Sequence, residues 1–94
     1  MTKTYYVYII SNYTNTVLYT GFTNNLERRV FEHKHNLIKS SFSAKYRLYK
    51  LLWSESFNSP QEAIEVEKKI KGWTRKRKLE LILLNNSKLE NLSV

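Results

Sequence analysis

The stretch from Tyr6 to Arg29 most constrains what this chain can become. It reads Tyr6-Val7-Tyr8-Ile9-Ile10, a polar break, Val17-Leu18-Tyr19-Thr20-Gly21-Phe22, then Asn24-Asn25-Leu26-Glu27-Arg28-Arg29. Two short β-type runs therefore lead straight into a capped helix carrying paired arginines. Tyr5 to Ser11 alternates, with Tyr6, Tyr8 and Ile10 on one face and Tyr5, Val7 and Ile9 on the other. Asn12 to Asn15 has turn chemistry, and Thr16 to Phe22 is long enough to pair antiparallel with the first strand. Both faces are apolar or aromatic, so helices are expected on each side of the sheet. Gly21 closes the second strand, where glycine marks close backbone approach or a bend.

Asn24 is the expected N-cap of the following helix, with Glu27 placed to reach back as in a capping box. At about 100° per residue, Leu26, Val30 and His33 share one stripe, and Arg29 lies about 40° from His33. Arg29 can then lean over the sheet edge while Arg28 is solvated, in a helix running to about His35. Asn36 to Tyr46 has no clear period and reads as a polar, basic loop or a loose helical turn. Leu48 to Ser54 is the third strand, and Phe57 to Ser59 lead out of it. Ser59-Pro60-Gln61-Glu62 is a strong helix start, with serine as N-cap, proline at N1 and glutamate at N3. Ala63, Val66, Ile70 and Trp73 form its apolar stripe. Glu67 sits on the flank of that stripe, Glu65 faces away, and Gly72 ends or kinks the helix. Thr74 to Leu84 makes a last helix with Leu79, Ile82 and Leu83 inward, and Asn85 to Val94 reads as a polar, weakly ordered tail.

Length bounds this to one domain, residues 1–94 with a core of about 5–84. No run approaches the ~20 apolar residues of a membrane span, and no apolar signal core follows the N-terminus. A cytoplasmic protein with no membrane partner is expected. The absence of cysteine excludes disulfides, thiol nucleophiles and Cys-ligated zinc. A formal charge of +8 on 94 residues points to a polyanion, nucleic acid first. Cations that could meet its backbone are Lys34, Lys45, Lys71, Arg75, Lys76 and Arg77. Arg75 to Lys78 put positive charge in a first helical turn, where the dipole disfavours it. They are either phosphate contacts or a solvated basic face.

Several sites are missing: there is no glycine-rich phosphate loop, and His33 and His35 lie about 200° apart on one helix and cannot share a metal. What remains is Tyr8 and Tyr19 on paired strands, Arg29 and His33 on the next helix, and Glu67. Phosphodiester cleavage needs a base for water, positive charge for the pentacovalent phosphate and, usually, a divalent cation on a carboxylate. The tyrosines could supply the base or orient the water, Arg29 could hold the phosphate, and Glu67 the metal. Each also has a blander role: sheet packing for the tyrosines, surface exposure for Arg29 and His33, an i,i+4 pair with Lys71 for Glu67.

The order Tyr6-Val7-Tyr8, Tyr19-Thr20-Gly21 and Arg29, with Glu32-His33-Lys34 and Glu67-Lys68-Lys69-Ile70-Lys71-Gly72-Trp73, resembles the GIY-YIG endonuclease superfamily, in its short stand-alone bacterial subgroup. The likeness spans roughly Tyr5 to Ile82. It implies an α+β fold, a three-stranded antiparallel sheet flanked by helices in the order β-β-α-β-α-α. It implies a divalent-metal-dependent endonuclease acting on DNA, structured or single-stranded. By the same resemblance Tyr8 and Tyr19 line the site, and one of the two is the general base. Arg29 stabilises the scissile phosphate, His33 matches a histidine seen in part of the superfamily, and Glu67 holds a single Mg²⁺ or Mn²⁺, with no other cofactor. Tyr6 and Thr20 depart from the name-giving triplets, and Ser41 stands where a glycine is common. Asn85 and Asn86 both remain open as a late asparagine of the family. The alternatives are a non-catalytic nucleic-acid-binding module on the same fold and an adaptor whose basic helices meet an acidic protein.

Overall fold

In a computed structural model, which describes residues 3–35, 37 and 45–93, the elements follow the expected order. They are β1 (Tyr5–Ser11), β2 (Leu18–Thr23), α1 (Leu26–Lys34), β3 (Lys50–Phe57), α2 (Pro60–Lys71) and α3 (Arg75–Leu83). The sheet order is β2-β1-β3, antiparallel throughout, so β1 is central. The segment 36–44, read as a basic loop and including Ser41, lies outside the described residues except for Leu37.

The alternation in β1 separates two cores. Val7 and Ile9 face Ala63 and Ile70 of α2 and Ile82 of α3, while Tyr8 and Ile10 face Val30 of α1 together with Leu48 and Leu51. All four β1 residues are essentially inaccessible, as a central strand covered on both faces requires. The β1–β3 register slips between Ile9, opposite Trp53, and Ile10, opposite Leu51. This bulge lets the consecutive Leu52 and Trp53 both enter the α2–α3 core.

Boundaries moved for identifiable reasons. The second strand begins at Leu18 because the side-chain oxygen of Asn12 accepts from the backbone N–H groups of Thr16 (2.9 Å) and Val17 (3.0 Å). It continues past Gly21 to Thr23, which pairs with Tyr6. The Thr23 hydroxyl then accepts from the Asn25 N–H at 3.1 Å. The helix therefore starts one residue late. Asn25, not Asn24, is the N-cap, accepting from Arg28 N–H at 3.0 Å, and Glu27 falls out of capping-box position. The third strand likewise lies further on than expected, with Phe57 inside it opposite Tyr5. The α2 start is as read, with Ser59 accepting from Glu62 N–H after Pro60.

Two expectations for the C-terminal part fail. Leu83 is exposed, because α3 is rotated to centre Ile82, with Leu79 and Leu81 packed beside it. The segment after α3 is not loose. Asn86 is buried and donates to the carbonyls of Leu52 (3.1 Å) and Glu90 (2.8 Å), while its oxygen accepts from Glu90 N–H. The outer edge of β3 is then covered at Leu51. Its N–H donates to the Asn91 side chain and its carbonyl accepts from Leu92 N–H. Polar residues here satisfy an exposed strand edge, which would otherwise invite pairing with another chain. Of the two late asparagines, Asn86 is the structural one and Asn85 is exposed.

Candidate active site

The centre of the site is the cross-strand pair Tyr8 and Gly21. A Cβ built on Gly21 would lie 2.4 Å from both Cζ and Oη of Tyr8. The glycine is required by space alone, since no glycine has a positive φ. Its bare backbone leaves room for the phenol end of the Tyr8 ring, whose Cε1, Cζ and Oη all lie over Gly21. That Oη is 3.2 Å from His33 Nε2. His33 is the inward residue of α1, 4% exposed, because it shares the Leu26–Val30 stripe. Tyr19 comes from the neighbouring strand and its ring packs near the imidazole, with centroids 6.1 Å apart.

These surroundings fix protonation. Burial, and then Tyr19, push the Tyr8 phenol well above the ordinary tyrosine range, with the Arg29 guanidinium opposing. Burial, and then the Arg29 charge, lower His33 from 6.5 to about 4. Near neutrality both groups are uncharged, and the histidine tautomer sets which of them donates in the hydrogen bond between them. Because the folded protein resists charging His33, its contribution to stability is full above the ordinary value near 6.5. That contribution is lost as pH falls toward about 4. Urea unfolding across this window is expected to lose up to about 3 kcal/mol from this group. His33→Gln should flatten that part of the profile, and an unchanged slope would refute the assignment.

Arg29 lies where the helical wheel put it, about one-third exposed, while Arg28 is solvated. Its Nε is 3.3 Å from Glu32 Oε1 without completing a hydrogen bond. Its charge is felt by both Tyr8 and His33. Glu67 approaches from α2. Its side chain is 17% exposed and Oε2 lies 3.2 Å from Lys71 Nζ. That ammonium sits over the Tyr19 ring, 5.7 Å from its centroid, and the Glu67 charge acts on Tyr8. Tyr8, Tyr19, Arg29, His33 and Glu67, drawn from four elements, thus form one cluster. The i,i+4 pair with Lys71 is present as well, so Glu67 satisfies its blander reading and its place in the cluster at once.

The six cations make different contacts. Lys34 and Lys45 line a groove of about 590 Å³ that also reaches His33. Lys71 belongs to the Glu67–Tyr19 corner. Arg75 donates to the carbonyls of Asn15 and Thr16, bracing the β1–β2 turn, and Arg77 stacks 4.3 Å from the Trp73 ring centroid. Lys76 is exposed. The basic first turn of α3 is therefore explained in good part by contacts within the protein. Residues that sequence reasoning missed line the same groove: Tyr13, Tyr46, Arg47 and Tyr49. A larger cavity of about 730 Å³, beside Tyr6, Leu26 and Phe31, contains none of the five clustered residues.

The sequence profile of the GIY-YIG catalytic domain matches residues 4–80. The chain belongs to the GIY-YIG family. Among its relatives, a UPF0213 protein of Streptococcus agalactiae serotype V is 42% identical over 78 residues, covering 82% of this chain and 85% of its own. A UPF0213 protein of Clostridium perfringens is 40% identical over 86 residues, covering 92% of this chain and 90% of its own. The solution NMR structure of a UPF0213 protein from Bacillus halodurans superposes with a TM-score of 0.58 at 27% identity, over 94% of this chain and 92% of that one. The α+β GIY-YIG fold, with a three-stranded antiparallel sheet and three described helices, is thus the fold of this protein. No helix among the described residues is long and apolar enough to cross a membrane.

As to a metal, no group of three or more His, Cys, Asp or Glu side chains among the described residues could cage an ion. Glu67 is the carboxylate of the cluster. That donor set does not suit zinc, but it suits Mg²⁺ or Mn²⁺, hard ions that use one or two carboxylates and fill the rest of their shell with water and substrate phosphate.

Proposed function

We propose that this GIY-YIG protein is a divalent-metal-dependent endonuclease that hydrolyses phosphodiester bonds in DNA, acting in the cytoplasm. The observation that carries the reading is the Tyr8–His33 hydrogen bond at 3.2 Å, with Arg29, Tyr19 and Glu67 clustered around it. Arg29 supplies fixed positive charge where the pentacovalent phosphate develops its negative charge. Tyr19, half-buried at the rim, orients the attacking water. Tyr8 cannot ionise freely in so buried a position. As it takes the water proton it hands its own to His33 Nε2, in the tautomer that leaves this nitrogen free to accept. Glu67 would hold Mg²⁺ or Mn²⁺, which when bound polarises a phosphoryl oxygen.

The test is incubation of purified protein with plasmid, single-stranded and branched DNA in Mg²⁺ or Mn²⁺ against EDTA. Cleavage of at least one substrate only with metal is expected, and cleavage of none in any metal would remove the proposal. Arg29→Ala is expected to slow single-turnover cleavage by about 10²-fold. Arg28→Ala, which changes a solvated cation, should stay within about threefold. Equal losses in the two would deny Arg29 its role.

One observation favours a second reading, a non-catalytic nucleic-acid-binding module. Glu67 is already neutralised by Lys71 at 3.2 Å. Salt-dependent DNA binding without turnover in any metal would select that reading.

A further inference from the structure

We propose that the groove adjoining His33 is a binding site for an unpaired polynucleotide strand, and that it delivers that strand to the Tyr8–His33 pair. The proposal rests on the nuclease reading above for its purpose and adds the substrate class, single-stranded rather than duplex nucleic acid. Its walls come from three places: the β1–β2 turn, the C-terminal end of α1, and the segment leading into β3.

Two properties of the lining define the ligand. Lys34, Lys45 and Arg47 are cations, and no carboxylate is among the described residues that line the groove. Three tyrosines, Tyr13, Tyr46 and Tyr49, alternate with them, while His33 forms part of the wall. Cations interleaved with aromatic rings are the chemistry of a single-strand channel, where phosphates meet charge and bases stack on rings. A duplex buries its base faces against one another and cannot offer them to tyrosines.

The exposed ring of Tyr13 is the most telling feature. It is 77% exposed and gains nothing for the core. Yet the turn that carries it is braced from several directions. Lys50 Nζ donates to Asn15 Oδ1 at 3.0 Å and reaches the Tyr13 carbonyl at 3.5 Å. Arg75 holds the carbonyls of Asn15 and Thr16, and Asn12 donates to the Thr16 hydroxyl at 2.7 Å. An aromatic ring held out to solvent on a rigid turn loses little entropy when a base stacks on it. Across the groove, Lys45 Nζ lies 5.4 Å from the Tyr46 ring centroid, putting charge and stacking surface side by side. Arg47 has φ 52 and the next residue, Leu48, is fully buried. The chain there turns sharply, so Leu48 anchors the segment while Lys45, Tyr46 and Arg47 stay at the surface.

Fluorescence anisotropy tests this in EDTA, where no turnover occurs, using labelled oligothymidylate, oligouridylate and a blunt DNA duplex of equal length. At least one single strand is expected to bind tenfold or more tightly than the duplex, and whichever of the two binds tighter identifies DNA or RNA as the source. Tyr13→Ala and Tyr46→Ala should each weaken single-strand binding by roughly fivefold or more. Lys45→Gln with Arg47→Gln should reduce the slope of log affinity against log salt by about 1.4. Thermal melts of these surface variants check that they remain folded. Duplex binding equal to single-strand binding, or tyrosine variants that bind like the parent, overturns the proposal. Tyrosine-dependent single-strand binding by a protein that cuts nothing supports the groove and rejects the nuclease reading. Metal-dependent cleavage without single-strand preference does the reverse.

Discussion

Glu67→Ala is expected to lower the single-turnover rate of metal-dependent DNA cleavage by about 10³-fold or more while leaving the protein folded. The size follows from what the carboxylate is asked to do. It is the carboxylate whose charge acts on Tyr8, whereas Glu32, the other carboxylate nearby, pairs with Arg29. Its cost to stability should be small. The Lys71 contact is an i,i+4 pair with Lys71 about half exposed, worth about 0.5 kcal/mol. Lys71→Ala provides the contrast, because it removes the same ion pair but keeps the carboxylate. It should slow cleavage far less than Glu67→Ala, through weaker attraction for phosphate. If the two variants lose activity equally, Glu67 is only the partner of Lys71 and the metal assignment fails. Isothermal titration with Mn²⁺ gives an independent readout, since Glu67→Ala should abolish the heat of binding seen with the parent.

Gly21→Ala is expected to destabilise the fold by about 3 kcal/mol, at the upper end for overpacking. For a chain of this size that lowers Tm by roughly 10–20 °C. The added methyl would fall 2.4 Å from the Tyr8 ring, and Tyr8, 1% exposed, has nowhere to retreat. Any accommodation must tilt the ring and pull its hydroxyl from His33, so activity should fall in whatever fraction remains folded. The decisive measurement is the same substitution in a Tyr8→Ala background. With the ring gone, alanine in a strand interior is preferable to glycine by about 0.5–1 kcal/mol, and the effect should change sign. A Gly21→Ala protein as stable as the parent would mean that the ring does not lie against β2.

Periodicity alone makes part of the site legible in the sequence. The same wheel that put Leu26, Val30 and His33 on one stripe separated Arg29 from Arg28, and the α2 wheel separated Glu67 from Glu65. Those separations survive because a helix two or more turns long has a phase set by its own apolar residues. Where a boundary depends on a tertiary contact, the structure departs from the local signal. Asn24 lost the cap to Asn25 because Thr23 stays paired with Tyr6 in the sheet, and no local signal reports that pairing. Leu83 was misplaced because the facing of α3 is decided by what fits between Ile70 and Leu52, not by the count of leucines. The last residues looked like a tail because their composition is polar. Their order comes from the edge of β3, which supplies partners for Asn86, Asn91 and Leu92.

The electrostatic character of the site was still less accessible from sequence. Tyr8 and His33 carry ordinary acidities as written, and only burial, with Tyr19 and Arg29 beside them, keeps both uncharged near neutrality. Likewise, six cations look alike in a sequence, yet Arg75 is held by backbone carbonyls on the β1–β2 turn while Lys34 and Lys45 share a groove with three tyrosines.

By itself, the sequence determined the order of strands and helices, the two-faced central strand and the facing of Arg29 and Glu67, because alternation and helical phase are properties of neighbouring residues. Tertiary structure alone decided where Tyr8 points, which cations are consumed by the fold, and that a braced turn carries an exposed ring beside His33. Each of these depends on a distance between residues far apart along the chain, and such distances exist only once the sheet has closed and both cores have packed.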